Sequence, residues 1–441
     1  MKRRIPALLV ILTLLVTLFS TSIAASENIP VPQVNIVDKV SHYEVTANFN
    51  GSENHRLFGE EYGKAIKEAL PEYEELLDTY LFRIVQFSAL KFGVSEAYFF
   101  NKMIENANNI LPQVDTEYRD EMEGLASEFT PDAPVVVGDG QISSGEIIAF
   151  NLLPDIVRVY ECSAAAVFGE RSATGGTIAA RNLDWSDLGI ISKFCSVTTI
   201  NNQSKSICLV GYLGNLGAVS AFNGSGVFGS ILDTSLTTAK PADSYLKRSY
   251  YMDLRHALEN ETTLQGVADY MKDTNKKYIY NHLIFLADKT DGKVLENNIS
   301  GTGPNMRRDL RSWNSVLNEG ITWGISNAIG CVNCFMLNGN HDDYTQVIYN
   351  TTRWESLKRE LLAKGEKVDA QELQDVISYS HYDGPGLHTE GDLYWGNNMI
   401  GAAEGIIFIP ATGELKAFFR PRDGILPAER TFETIQVSFL N

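Results

Sequence analysis

Basic residues are in short supply. Among 441 residues, 37 Lys and Arg face 55 Asp and Glu, for a formal net charge of −18. Such acidity excludes a nucleic-acid partner, whose phosphates need clustered cations, and excludes charge-driven attachment to anionic membrane. After the first 25 residues no apolar run is long enough to span a bilayer, so no stable membrane insertion is expected. Repeats and low-complexity tracts are missing as well. With 44% apolar and 21% charged residues, the chain is not disordered, collagen-like or a coiled coil.

What is there begins with a leader. Lys2, Arg3 and Arg4 precede an apolar run over 7–19, and Ser22-Ile23-Ala24 supplies small residues for cleavage, so 1–25 reads as a signal peptide. Its removal takes away three basic and no acidic residues, moving the net charge from −18 to −21. The expected location is secreted or extracytoplasmic: periplasmic or extracellular, or lysosomal in a eukaryotic cell. Export makes disulfides possible. Cys195 and Cys208 flank a turn-like Asn201-Asn202-Gln203-Ser204 between β-rich runs, which suggests a cross-hairpin bridge. Cys331 and Cys334 could form a second bridge, leaving Cys162 as an unpaired, reactive thiol or an inert buried one.

Helical periodicity dominates 56–111, continues over 115–128 and returns at 147–157. The texture changes at Glu161-Cys162. Runs 163–168 and 177–185 are apolar and flank a turn-rich 171–176, and further strand signals follow at 194–200, 206–213, 217–222 and 226–232. Helices return near 242–273. Lys289-Thr290-Asp291-Gly292 marks a hairpin turn, 351–364 a charged helix, and 406–439 a β-rich tail. This order predicts an α+β fold with sheets sandwiched between helical layers.

Pairing 163–168 with 177–185 as an antiparallel hairpin brings Cys162 opposite the mid-180s, beside Arg181-Asn182-Leu183-Asp184-Trp185. Strict alternation would put Arg181 and Asp184 on opposite faces, so a bulge or strand end is needed if both are to reach the thiol. A local ion pair at the strand terminus is the alternative. Arg181 can favour a thiolate but cannot accept its proton. No His is close in sequence, although His256, His341 and His381 could approach in space. Cutting the Glu161–Cys162 bond would supply a base instead, the new α-amine of Cys162, with an ordinary pKa near 8.

Here the residues carry a resemblance. Glu161-Cys162-Ser163-Ala164-Ala165 followed by Ala180-Arg181-Asn182-Leu183-Asp184-Trp185 resembles the N-terminal-nucleophile (Ntn) cysteine hydrolases. It is most similar to the acyl-CoA:6-aminopenicillanate (isopenicillin-N) acyltransferase family, to which choloylglycine hydrolases and acid ceramidase are related. Glu123-Gly124-Leu125-Ala126 and Asn151-Leu152-Leu153-Pro154 resemble the pro-segment. Phe222-Asn223-Gly224-Ser225-Gly226-Val227 resembles a later turn. Val332-Asn333-Cys334-Phe335 stands where the family usually has Thr-Asn-His-Phe, and Thr352-Arg353 resembles a helix start.

The resemblance implies an αββα sandwich of two antiparallel sheets. It also implies autocleavage between Glu161 and Cys162, with a mostly helical fragment 26–161 remaining bound to a catalytic fragment 162–441. Cys162 would be the nucleophile and its α-amine the base; Arg181 and Asp184 would tune and position them, and Asn333 would donate to the oxyanion. Arg353, Asp233 and Asn223 are candidates for substrate contact. The reaction implied is hydrolysis of a linear amide, an N-acyl amide or N-acyl amino acid, through a thioester, with no metal and no cofactor. Cys334 departs from the family's His, and the Cys331-Val332-Asn333-Cys334 loop reads as a disulfide more readily than as half a zinc site, there being no second cysteine pair. The competing readings are an acyltransferase or lipid-directed hydrolase on the same scaffold, a binding protein that keeps the fold without activity, and a conventional cysteine protease using His341 or His381.

Overall fold

The structure is a computed structural model that describes residues 30–157, 161–234, 244–299, 307–341, 347–437 and 439; the leader 1–25 lies outside them. Two sheets form its centre. In spatial order the larger sheet runs β1 (Gln33–Asp38), β2 (Tyr43–Asn48), β5 (Cys195–Asn201), β6 (Ile207–Tyr212), β7 (Ser220–Asn223), β8 (Phe228–Asp233), β9 (His282–Ala287), β10 (Gly292–Asn298) and β11 (Arg307–Arg311). The smaller runs β12 (Ala328–Cys331), β3 (Glu161–Val167), β4 (Ile178–Ser186), β13 (Ile400–Ile409), β14 (Glu414–Phe419) and β15 (Glu433–Ile435). Every pairing is antiparallel except β2 with β5, which is parallel. The sheets meet face to face where β3 touches β8 and β10 touches β12.

Helices cover both outer faces. On the larger sheet lie α1 (His55–Ala69), α7 (Tyr250–Asn260) and α8 (Leu264–Lys272). The same layer is continued by α2 (Tyr73–Phe92), α3 (Glu96–Ile110), α4 (Thr116–Ser127), α5 (Ser144–Asn151) and α6 (Leu153–Ile156). On the smaller sheet lie α9 (Ile348–Ala363) and α10 (Ala370–Ile377). The result is the expected αββα sandwich. The segment 30–157 is mostly helical and also carries β1 and β2, which extend the larger sheet, and their side chains join the same core as the strands after Cys162.

Local chemistry explains these elements. In α1, Asn54 caps the first turn by accepting from the Leu57 amide, and Phe58, Tyr62 and Ile66 recur at helical spacing on the buried face. α1 and α4 approach so closely that a Cβ on Gly59 would stand 2.1 Å from the Glu121 carbonyl oxygen, and one on Gly124 would stand 2.0 Å from that of Arg56. Only glycine fits at either position. β3 is built largely of small residues, with Ala164, Ala165 and Ala166 facing Arg181, Ala180 and Ala179 of β4.

Alternation along β3 and β4 is strict. Cys162, Ala164, Ala166, Ala179 and Leu183 belong to the core between the sheets, whereas Ala165, Val167, Ile178 and Ala180 pack outward with α9 and α10. Two buried acids stiffen the helical layer. Asp155 accepts from Ser249 Oγ at 2.5 Å and from the Tyr250 amide at 3.0 Å, and burial pushes its carboxyl up to about 8. Glu146 closes a capping box with Ser143 and is pushed by burial up to about 7.

These two acids set a pH dependence. An acid with a raised folded-state pKa holds its proton in the folded chain after the unfolded chain has lost it, so stability falls as pH rises between the two values. Thermal unfolding should therefore move to lower temperature between about pH 5 and 8. Asp155→Asn, which keeps a neutral hydrogen-bonding group there, should flatten that slope; calorimetry across this range checks it.

Candidate active site

Antiparallel pairing places Cys162 opposite Leu183 and Glu161 opposite Asp184. The expected neighbourhood forms, but without a bulge in this hairpin, and Arg181 and Asp184 lie on opposite faces of the sheet. On the inner face, Arg181 Nη2 stands 3.4 Å from Cys162 Sγ and donates to the Ile231 carbonyl at 2.8 Å, while Nη1 donates to Ser220 Oγ at 2.6 Å. Arg181 is fully buried, and Ser220 and Ile231 from the facing sheet hold its guanidinium plane over the sulfur. Burial pushes the thiol up to about 12, against the pull of Arg181, so the sulfur is held mainly as the protonated thiol.

The outer face carries the carboxylates. Glu161 Oε2 lies 2.8 Å from His388 Nδ1 and 3.6 Å from Arg353 Nη2. Burial works to raise the Glu161 pKa, but the His388 hydrogen bond and the charges of His388 and Arg353 hold it below the usual range. Asp184 is 1% exposed and neither carboxylate oxygen accepts a hydrogen bond; His388 Nε2 stands 3.6 Å from Oδ2. A buried, unsatisfied carboxylate is costly, and this one sits at the strand position paired with the Glu161–Cys162 junction. His388 is fixed from behind. Its carbonyl accepts from Thr352 Oγ1 at 2.7 Å, and its ring packs 4.1 Å from that of Trp395.

Asn333 and Arg353 close the junction from the third side. The Cys162 amide donates to Asn333 Oδ1 at 2.8 Å, Arg353 Nη2 donates to the same oxygen at 2.9 Å, and Asn333 Nδ2 donates to the Asp233 carbonyl at 2.9 Å. Two donors on one oxygen fix the orientation of the amide. In the uncut chain Asn333 is thus an acceptor that anchors the nitrogen of Cys162, rather than a donor aimed at an oxyanion. Arg353, also fully buried, donates through Nη1 to the Cys162 carbonyl at 3.0 Å and through Nη2 to Asn350 Oδ1 at 2.8 Å.

The other candidates fall elsewhere. Asp233 contributes its carbonyl to Asn333, while its carboxylate accepts from the Thr234 amide at 2.7 Å. Asn223 spends its side chain on a turn: Nδ2 donates to the Leu258 and Glu261 carbonyls and Oδ1 accepts from the Ser225 and Val227 amides. His381 bonds Asp392 and Tyr379, and His256 pairs with Asp115, so neither is joined to Cys162. His381, Glu390 and Asp392 bring potential metal-ligand atoms together, but Asp392 is already engaged by the His381 ring and by the His381 and Leu387 amides.

Two residues escaped sequence reasoning. His388 is 227 positions from Glu161 in a Gly-rich loop without periodicity. Glu404 reaches the inner face from β13, next to a register shift between Ala402 and Glu404. Burial pushes its carboxyl up to about 8, against the pull of Arg181.

The cysteine pairings need correction: all five cysteines are buried and no disulfide joins them. Cys208 faces Thr199, while Cys195 faces Tyr212. Four residues of strand separate the two, about 13 Å at 3.3 Å per residue, far beyond the reach of a bridge. Cys331 faces the core between the sheets and Cys334 the core under α9 and α10, so their sulfurs point to opposite sides.

No family model and no curated protein matches the sequence. Solved structures do. An N-acylethanolamine-hydrolyzing acid amidase ortholog from Caenorhabditis elegans is 14% identical, with 56% of this chain and 93% of that chain covered and a TM-score of 0.39. A mutant conjugated bile acid hydrolase from Clostridium perfringens is 10% identical, with 63% and 97% covered and a TM-score of 0.35. Penicillin V acylase from Agrobacterium tumefaciens is 9% identical, with 58% and 83% covered and a TM-score of 0.32. Likeness at these scores carries no weight for the chemistry, which rests on the geometry above.

Denaturation without reductant, followed by iodoacetamide and intact mass, should show five alkylated thiols. A loss of two or four would restore one or both bridges.

Proposed function

We propose that the chain is an exported, self-cleaving Ntn cysteine amidohydrolase that splits linear amides, of the N-acyl amide or N-acyl amino acid kind, through a thioester on Cys162. The observation that carries this reading is the junction itself. A thiol lies under a buried guanidinium, the amide of the same residue is held by Asn333, and an unsatisfied buried carboxylate is paired across the strands with the preceding residue. A merely structural cysteine needs none of these groups.

The chemistry follows in two stages. Cys162 Sγ attacks the Glu161 carbonyl, the C–N bond breaks as the nitrogen takes up a proton, and a thioester joins Glu161 to the sulfur. Water then hydrolyses the thioester, releasing the Glu161 carboxylate and leaving Cys162 with a free thiol and a free α-amine. That amine sits at the Asn333 acceptor and within the field of Asp184, whose missing partner it becomes. In turnover the amine takes the thiol proton, Arg181 steadies the thiolate, and the sulfur attacks the substrate amide carbonyl. The amine then returns the proton to the leaving nitrogen, and water resolves the acyl-enzyme. Fragments 26–161 and 162–441 stay together because both contribute to one core.

Intact mass and N-terminal sequencing test the first stage. Wild-type protein should yield two fragments, the larger beginning at Cys162, and Cys162→Ala should stay whole. Asp184→Asn should slow the cut by about a hundredfold, the usual weight of a positioned proton-transfer or charge-stabilising group. A wild-type chain that stays whole at neutral and acidic pH would defeat the mechanism.

A further inference from the structure

The buried guanidinium of Arg353 is neutralised by a group that the proposed cut releases. Its hydrogen bonds go to neutral acceptors: the carbonyls of Tyr349 and Cys162, and the amide oxygens of Asn333 and Asn350. Among the described residues its one ion-pair partner is Glu161, whose Oε2 it shares with His388. A fully buried cation without a counter-ion is costly, because its desolvation is no longer offset.

Cleavage rearranges these charges. Glu161 gains an α-carboxylate beside Asp184, its cross-strand partner, and loses the covalent tether that held it there. Like charges at such a position repel. The α-amine formed on Cys162 neutralises Asp184, which leaves Arg353 as the unpaired charge, next to the nucleophile and backed by His388. His388 is 7% exposed and is held by Thr352 and Trp395, so the vacated position keeps its shape without Glu161.

We infer that Arg353 and His388 form a carboxylate subsite, filled by Glu161 in the uncut chain and by a carboxylate of the substrate after the cut. The enzyme then prefers amides that bear an acidic group close to the scissile bond over neutral N-acyl amines. The inference rests on the reading of Cys162 as an autocatalytically exposed nucleophile. The acid belongs at about the distance that separates a glutamate side-chain carboxylate from its own carbonyl. Both an N-acyl amino acid and a dicarboxylic acyl group satisfy that chemistry.

The test uses wild-type protein shown by mass to be cut. Values of kcat/KM are compared for chain-matched pairs, an N-acylglycine against the N-acylethanolamine and a glutaryl anilide against the butyryl anilide. The acid member of at least one pair should win by about tenfold, mainly through KM, as a charge-assisted contact warrants, and the winning pair shows which side of the amide carries the acid. His388→Gln should reduce that preference. Independently of any variant, the acid probe matched to the winning pair, N-acetylglycine or glutarate, should protect Cys162 of the cut protein from iodoacetamide better than its neutral amide, N-acetylglycinamide or glutaramide, does. Cut protein that hydrolyses acid and neutral members of both pairs within about twofold, or is protected equally by both probes, overturns the subsite and leaves the nucleophile standing. Protein that is never cut, or hydrolyses no amide, overturns both.

Discussion

Two guanidinium groups with no exposure to water, Arg181 and Arg353, organise the centre of this molecule. Each is held in place by polar contacts from the strands and helices around it. Arg181 is answered on the inner face by Ser220, the Ile231 carbonyl and the Cys162 sulfur. Arg353 is answered on the outer side by backbone and amide oxygens and by Glu161. Between them lies one peptide bond, and the surrounding strands, loops and helices serve to keep that bond in place.

The fold achieves this with ordinary means. Small residues in β3 and β4 let the larger sheet approach the strand that carries Cys162, so Ser220 and Ile231 reach Arg181. Alternation puts the thiol on one face and Glu161 and Asp184 on the other. α9 delivers Arg353 through the outer helical layer, and the loop before β13 delivers His388. In the whole chain the sulfur is consequently held mainly as the thiol, since burial costs its anion more than Arg181 returns.

Much of this was legible in the sequence, for identifiable reasons. The turn-rich 171–176 between two apolar runs sets the hairpin that pairs Cys162 with Leu183 and Glu161 with Asp184. Thr352-Arg353 and Val332-Asn333 stood out only through the family resemblance, and the structure brings both to Cys162. What could not be read depends on register and long-range packing. The Cys195–Cys208 pairing failed because a turn-like centre does not specify which residues face each other across it. Cys331 and Cys334 failed because the chain between them carries the two sulfurs to opposite faces of the sheet. His388 and Glu404 carry no local signature, and the acceptor role of Asn333 follows from two donors that lie far away in the chain.

The central claim is that breaking one bond gives Cys162 the base it needs to act on other amides. The direct measurement is the pH dependence of Cys162 alkylation in the wild-type chain, taken separately on its whole and cut forms. In the whole form the reaction should gain on pH only toward about 12, where burial places the thiol. In the cut form the midpoint should fall to about 8 or below, where the neighbouring α-amine and Arg181 share the proton and the charge. Identical profiles for the two forms would contradict the account.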